Sequence, residues 1–336
     1  MSIVALLALV LAASLVGTGL LRRYALRRNI MDVPNDRSSH LIPTPRGGGG
    51  AIVLTFLGGL AVLAASGLTD ARTAGALAGA GAIVAVVGFL DDHCHVAAGW
   101  RLLAHFAAAL WALVVLGGMP PIVALGTTID LGWVGHVLCA VALVWLLNLY
   151  NFMDGIDGIA GVEALAVCAG AIIVYRLRAA AEPDWVVPAL LAAATLGFLA
   201  WNLPPARIFM GDAGSGFLGV VLGVLAVKAA QISPALLWSW FILLGAFVAD
   251  ATVTLLRRLY RGEKVYQAHR SHAYQHAAVR YRSHGRVAAA VGLINLLWLL
   301  PWAVLAGLGR VDGVAATVIA YLPLVVLALG FRAGLR

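Results

Sequence analysis

The chain is built from apolar runs roughly 17 to 22 residues long, the length a helix rising 1.5 Å per residue needs to cross about 30 Å of hydrocarbon. Eleven such runs are read, at 2–21, 48–66, 74–90, 102–118, 132–149, 159–175, 186–201, 215–230, 236–256, 287–307 and 313–331 of the 336 residues. With 62% hydrophobic and 11% charged residues and a mean hydropathy of +0.95, the composition excludes a soluble domain. The expectation is an all-α polytopic membrane protein. The first run is too long for a secretory signal, has no basic residue before it and is followed by RRYALRR, so it reads as an uncleaved anchor. Cys94, Cys139 and Cys168 show no CxxC spacing and read as small apolar residues, not as a disulfide framework or a thiolate metal site.

Basic residues near span ends are retained in the cytoplasm. An outside N-terminus places 18 of the 23 Lys and Arg residues on the inner side and leaves Arg72, Arg176, Arg178, Lys228 and Arg310 outside. The net charge of +8 then describes a cytoplasmic surface that attracts anionic headgroups and anionic substrates. No aromatic-interleaved basic motif points to nucleic acid.

The same topology sorts the acids. Asp91 and Asp92 follow the third run, Asp154 and Asp157 the fifth and Asp212 the seventh, so all five emerge on the cytoplasmic side. At mid-membrane each would cost roughly 3 kcal/mol, about 15 in total, which explains their placement at span ends but not their number.

Each inner loop has its own chemistry. In DDHCH the adjacent carboxylates of Asp91 and Asp92 repel, which fits either a metal site or a general base, with a solvated loop as the structural alternative; His93 and His95 offer ligand nitrogens, but an exposed His pair beside a span is more often inert. In NFMDGIDG, Asp154 and Asp157 are three apart and share a face if the segment is helical. Gly155 and Gly158 would let a ligand approach the backbone, while an Asp-capped, glycine-rich helix entry is the structural alternative. In IFMGDAGSG, Asp212 opens the eighth run, where a carboxylate-held cation and the first helix amides could together receive phosphates. No G-K-[ST] follows, so this is not a P-loop. In AHRSHAYQ, His269, Arg270 and His272 form an anion site more readily than a zinc site, because no third His or Cys has the right spacing. The four glycines of PTPRGGGG read as a helix-packing device.

Taken together, PTPRGGG (43–49), GFLDD (88–92), NFMDGIDGIAG (151–161), IFMGDAGS (208–215) and AHRSHAYQ (268–275) closely resemble, in order and across essentially the whole chain, the polyprenyl-phosphate N-acetylaminosugar-1-phosphate transferases. The resemblance implies one integral membrane domain over 1–336. It implies ten to eleven transmembrane helices around a cytoplasmic cleft, in the bacterial inner membrane. The implied reaction is transfer of a sugar 1-phosphate from a UDP-N-acetylaminosugar to undecaprenyl phosphate, releasing UMP, with Mg²⁺ or Mn²⁺ as cofactor. By motif position Asp212 is the principal metal ligand, with Asp92 and Asp154 beside it. Asp91, Asp92, Asp154, His269, Arg270 and His272 form the catalytic set, in which Asp91 acts as base or orienter of the lipid phosphate. Asn151, Asp157, Asn202, Phe209 and Arg270 hold the UDP-sugar, with Phe209 on the uracil. Membrane lipids are further partners, and a homodimer follows from the resemblance alone.

Two departures separate the chain from the muramyl-pentapeptide branch. It has HRSH in place of a triple histidine, and no lysine precedes PTPRGGG, which leaves His40 and Arg46 as stand-ins. Both favour the branch that initiates O-antigen and other surface polysaccharides, with the muramyl branch as the alternative and the sugar open. A transporter that uses the acids for cation coupling is the alternative from another class, but it calls for midplane acids and an internal repeat. The CDP-alcohol phosphotransferases need an arginine that NFMDGIDGIAG lacks.

Overall fold

The computed structural model describes residues 1–34, 42–94, 96–179, 181–263 and 269–335, so His40 and His95 lie outside the described residues. Its helices are α1 (Ile3–Arg28), α2 (Gly50–Ala65), α3 (Ala71–His93), α4 (Ala98–Leu116), α5 (Gly132–Met153), α6 (Ile159–Arg178) and α7 (Val186–Asn202). They continue with α8 (Asp212–Ile232), α9 (Pro234–Leu243), α10 (Gly245–Tyr260), α11 (Ala273–Tyr281), α12 (His284–Ile294), α13 (Leu300–Gly307) and α14 (Gly313–Gly330). Among the described residues nine helical stretches are long and apolar enough to cross a membrane, α2 is a shorter apolar helix, and α9 with α10 makes one broken span. The chain is an all-α multi-pass membrane protein.

The ninth run, read as one span over 236–256, bends by 70° between α9 and α10. Leu244 leaves helical geometry (φ −79°, ψ 1°) and Gly245 restarts the helix, a break that a uniformly apolar run does not advertise. The tenth span is continuous, but it carries a π turn over Asn295–Leu299 just before Pro301. Pro301 has no N–H to donate, and the wider turn absorbs that loss without ending the helix.

The helix α8 is the axis of the bundle, packed against α3, α5 and α9, and it is buried along nearly all of its length. Its glycines make this closeness possible. A Cβ on Gly219 would lie 2.8 Å from the Leu147 Cα in α5, and one on Gly214 would lie 2.6 Å from the Gly49 Cα. Within the four-glycine stretch Gly48 and Gly49 are the packing device, a Cβ on Gly48 meeting the Phe198 ring at 2.8 Å, whereas Gly47 has nothing within 4 Å and supplies a φ of +94°. Among the described residues there are also two short antiparallel pairs: β1 (Met31–Asp32) with β2 (Thr44–Pro45), and the hairpin of β3 (Ile122–Ala124) with β4 (Thr127–Ile129).

Candidate active site

Each sequence block lies at the same end of the bundle, where α3, α5 and α7 finish and α8 begins. The segment entering α2 pairs with the segment entering α8: Phe209 N–H donates to the Pro45 carbonyl at 2.8 Å, and Gly48 N–H to the Phe209 carbonyl at 2.9 Å. PTPRGGG and IFMGDAGS therefore form one wall.

Asp91 and Asp92 share the last turn of α3 but point to different partners. Asp92 is 3% exposed and caps α8 from outside, accepting from Asp212 N–H at 3.1 Å and Ala213 N–H at 3.3 Å. The positive end of α8 favours a carboxylate there. The first amides of α8, read as a phosphate receiver, are thus occupied by Asp92, and both Asp92 oxygens face those amides. Arg46 donates to the Asp92 main-chain carbonyl and lies 4.0 Å from its carboxylate. Asp91 accepts from Val96 N–H at 2.8 Å and pairs with Arg101, whose same nitrogen stands 3.7 Å from Asp212. Asn151 donates to Asp212 Oδ1 and to Ser215 Oγ, each at 2.9 Å, so it orients the acid directly.

The expectation that Asp154 and Asp157 share a helical face is not met. Asp154 caps the end of α5 with φ −84° and ψ 53°, and the chain is non-helical until α6. The glycines also differ from their reading. Gly158 adopts φ +80° to start α6, and Gly155 leaves room for the Tyr274 hydroxyl, which a Cβ would meet at 2.1 Å. Tyr274 donates to the Phe152 carbonyl at 3.0 Å, which ties the histidine segment to this loop.

The two acids consequently diverge. Burial, then the charges of Asp212, Asp92 and Asp157, push the Asp154 carboxyl well above the usual carboxylate range. Asp157 turns the other way, accepting from Ala206 N–H at 3.0 Å and standing 3.2 Å from His284 Nδ1. Asn202 is 2% exposed and its amide is engaged with the backbone, accepting from Gly158 N–H and donating to the Ile208 carbonyl, each at 3.0 Å. It shapes the wall between Asp157 and Phe209. Phe209 is half-buried.

In the histidine segment the rings of His269 and His272 stack at 4.8 Å, and Ser271 Oγ lies 2.9 Å from His269 Nδ1. Burial, helped by the His272 and Arg258 charges, pushes His269 down to about 3. His272 is buried, its Nδ1 3.4 Å from Asp250, and Arg270 is exposed. Asp250 accepts from Ala273 and Tyr274 N–H, each at 2.9 Å, and so caps α11.

Several of these residues were invisible as site residues in the sequence. Arg101 had a signal, since it is a lone cation in its inner loop ten residues after Asp91. Tyr274 lay inside the AHRSHAYQ block without being singled out, and Asp250 and His284 had no signal. Beside the acids a cavity of about 180 Å³ runs between α3, α4, α5 and α8, lined by Asp91, Arg101, His105, Asn148, Asn151 and Asp212 at its polar part and by Val84, Leu102 and Leu147 among its apolar residues.

Among the described residues no three His, Cys, Asp or Glu side chains gather closely enough to hold a metal ion by themselves. The donors nevertheless suit Mg²⁺, which takes one or two carboxylates and fills its shell with water and substrate phosphate. Asp212, whose side chain is 40% exposed, and Asp154, which is crowded by acids and offers oxygen alone, are the two that fit.

Residues 74–230, which run from α3 through α8, match the family described as Glycosyl transferase family 4. Over 300 residues the chain is 30% identical to the probable undecaprenyl-phosphate N-acetylglucosaminyl 1-phosphate transferase of Bacillus subtilis, an alignment covering 84% of this chain and 79% of the relative. Over 319 residues it is 31% identical to the decaprenyl-phosphate N-acetylglucosaminephosphotransferase of Mycobacterium tuberculosis, covering 84% and 76%. The likeness to the phospho-N-acetylmuramoyl-pentapeptide-transferase of Chlamydia muridarum is 43% over 95 residues, only 27% of this chain and 26% of the relative. The chain belongs to glycosyl transferase family 4, in the superfamily of polyprenyl-phosphate sugar-1-phosphate transferases.

Proposed function

We propose that this protein transfers an N-acetylaminosugar 1-phosphate from a UDP-sugar to undecaprenyl phosphate on the cytoplasmic face of a bacterial inner membrane. The observation that carries the reading is the convergence of Asp91, Asp92, Asp154 and Asp212 from three helices on one end of the bundle, with Arg101 between Asp91 and Asp212. The long alignment with transferases named for undecaprenyl and decaprenyl phosphate supports the acceptor, and the clustering of basic residues around this end supports the cytoplasmic side.

An oxygen of the lipid phosphate attacks the β-phosphorus that carries the sugar. The bond from that phosphorus to the bridging oxygen breaks, and UMP leaves with the electron pair. Several anions must meet, so the site's task is neutralisation and alignment. Arg101 supplies fixed positive charge beside Asp91, and Asp91 orients the entering lipid phosphate at the mouth of the cavity between α3 and α5. Asn151 fixes the Asp212 carboxylate, and Asp92 fixes the start of α8 on which Asp212 sits. Held by Asp212 and Asp154, Mg²⁺ would offset charge on the diphosphate. Arg270, the exposed cation of the histidine segment, meets the nucleotide side. HRSH in place of a triple histidine supports the branch that initiates surface polysaccharide synthesis.

The test is UMP release by purified protein with Mg²⁺, undecaprenyl phosphate and a panel of UDP-GlcNAc, UDP-GalNAc and their 6-deoxy counterparts. Release that requires the lipid phosphate supports the reading. Release without it, or none with any sugar, overturns it.

A further inference from the structure

A second acid lies deep in the bundle, away from the cluster. Glu163 belongs to α6, is fully buried, and among the described residues has no charged partner to offset its removal from water. An acid so placed is costly to bury unless its oxygens are used. Asn295, the first residue of the π turn in the tenth span, donates to Glu163 Oε2 at 2.6 Å and is itself 1% exposed. Among the described residues Glu163 Oε1 makes no hydrogen bond, and the Phe247 main-chain N–H is turned toward this carboxylate. Phe247 stands in the first turn of α10, which begins inside the bundle at the 70° break, where N–H groups lack carbonyls of their own helix. A carboxylate is the group such a helix start favours.

One turn further along α10 is Asp250. Its carboxylate holds the first amides of α11, at Ala273 and Tyr274, and Tyr274 reaches back to the Phe152 carbonyl at the end of α5. Phe152 lies two residues before Asp154, and the loop after Asp154 leads into α6, where Glu163 sits. The contacts close a ring: α6, α10, α11, the end of α5, and α6 again.

We propose that Glu163 is a positioning residue that fixes the broken ninth span and, through Asp250 and Tyr274, sets the histidine segment against the Asp154 loop. The catalytic consequence rests on the transfer reaction proposed above, whereas the mechanical one does not. In the wild-type fold the brace holds α10 at a single angle. Without it the first turn of α10 loses the carboxylate toward which the Phe247 N–H is turned, and α11 shifts with it.

The experiment is hydrogen–deuterium exchange on the full chain in lipid nanodiscs, followed by mass spectrometry of peptides covering residues 244–250 and 271–276, together with kcat and KM for the UDP-sugar. Glu163→Ala is expected to speed exchange about tenfold in both peptides and to lower kcat at least tenfold with KM within threefold. Glu163→Gln keeps one acceptor oxygen for the Phe247 N–H and can donate its amide to Asn295 Oδ1, which has no hydrogen bond among the described residues, so it is expected to stay within twofold of wild type in both readouts. Asn295→Leu, which removes only the tether from the π turn, is expected to speed exchange at 271–276 about threefold, and it decides the matter should Glu163→Ala not fold. Faster exchange confined to 244–250, or unchanged exchange at 271–276 in both Glu163→Ala and Asn295→Leu, overturns the proposal. Exchange needs no turnover, so a wild-type protein inactive with every UDP-sugar refutes the reaction and leaves the brace to be judged on exchange alone.

Discussion

The spacing between α3 and α8 is set by one missing side chain, and Gly88→Ala tests how much catalysis depends on it. Gly88 lies one turn before Asp91 and Asp92. A Cβ there would stand 2.5 Å from the Ala213 main-chain nitrogen and 2.6 Å from the Asp212 carbonyl carbon. Ordinary contact begins at 3.4 Å, and the obstacle is backbone that cannot rotate aside, so the two helices must part by about 0.9 Å. The Asp92 bond to Asp212 N–H, now 3.1 Å, would open to about 4 Å and cease to be a hydrogen bond. Overpacking of this kind costs about 1–3 kcal/mol of stability, and a misplacement of about 1 Å at reacting groups costs on the order of 100-fold in rate. UMP release at saturating substrates should therefore fall about 100-fold in a variant that still purifies as a folded, monodisperse protein. Gly58→Ala in α2 is the control, because nothing lies within 4 Å of its Cβ position. If Gly88→Ala keeps more than about a third of wild-type kcat, the α3 to α8 contact does not set the catalytic geometry.

Arg101→Ala removes the cation between Asp91 and Asp212 and should lower kcat about 100-fold, the scale on which a positioned charge contributes; Arg101→Lys should recover only part, since an ammonium lacks the forked donor, and full activity of the alanine variant refutes the role. Gly155→Ala should be rescued in part by Tyr274→Phe, because the hydroxyl is the atom a Cβ would meet at 2.1 Å; strictly additive losses in this double-mutant cycle would show that the two do not touch. His269, pushed down to about 3, loses its proton well below neutrality and stays uncharged from pH 5 to 8. His269→Asn should therefore leave the shape of the kcat profile over that range unchanged, and loss of an acid limb near pH 6.5 in the variant would show that the histidine does titrate there.

The spans were legible in the sequence because lipid demands helices of a fixed length, and that demand is written in composition alone. What each span touches was not. The helix α8 is buried almost throughout while α1 is largely exposed, yet both are long apolar runs, because lipid and protein interior select the same side chains. The five aspartates stood out as rare charge at span ends, and the structure gathers four of them. Their division of labour was hidden by one local fact. Asp154 sits where α5 stops, so a spacing of three no longer means a shared face, and Asp157 turns to Ala206 and His284 instead. The single acids within apolar runs were harder still. Glu163 acquires its meaning from Asn295, 132 residues away, and Asp250 from the start of a helix 23 residues on. An acid buried alone violates hydrophobic patterning at a cost, and such a cost is kept where the group does something that an apolar side chain cannot. In this chain the two lone acids stand at either end of one turn of α10, each beside the start of a helix. That arrangement makes the broken span a jointed part with a defined angle, and it places the control of that angle at Glu163, two residues past the NFMDGIDGIAG block.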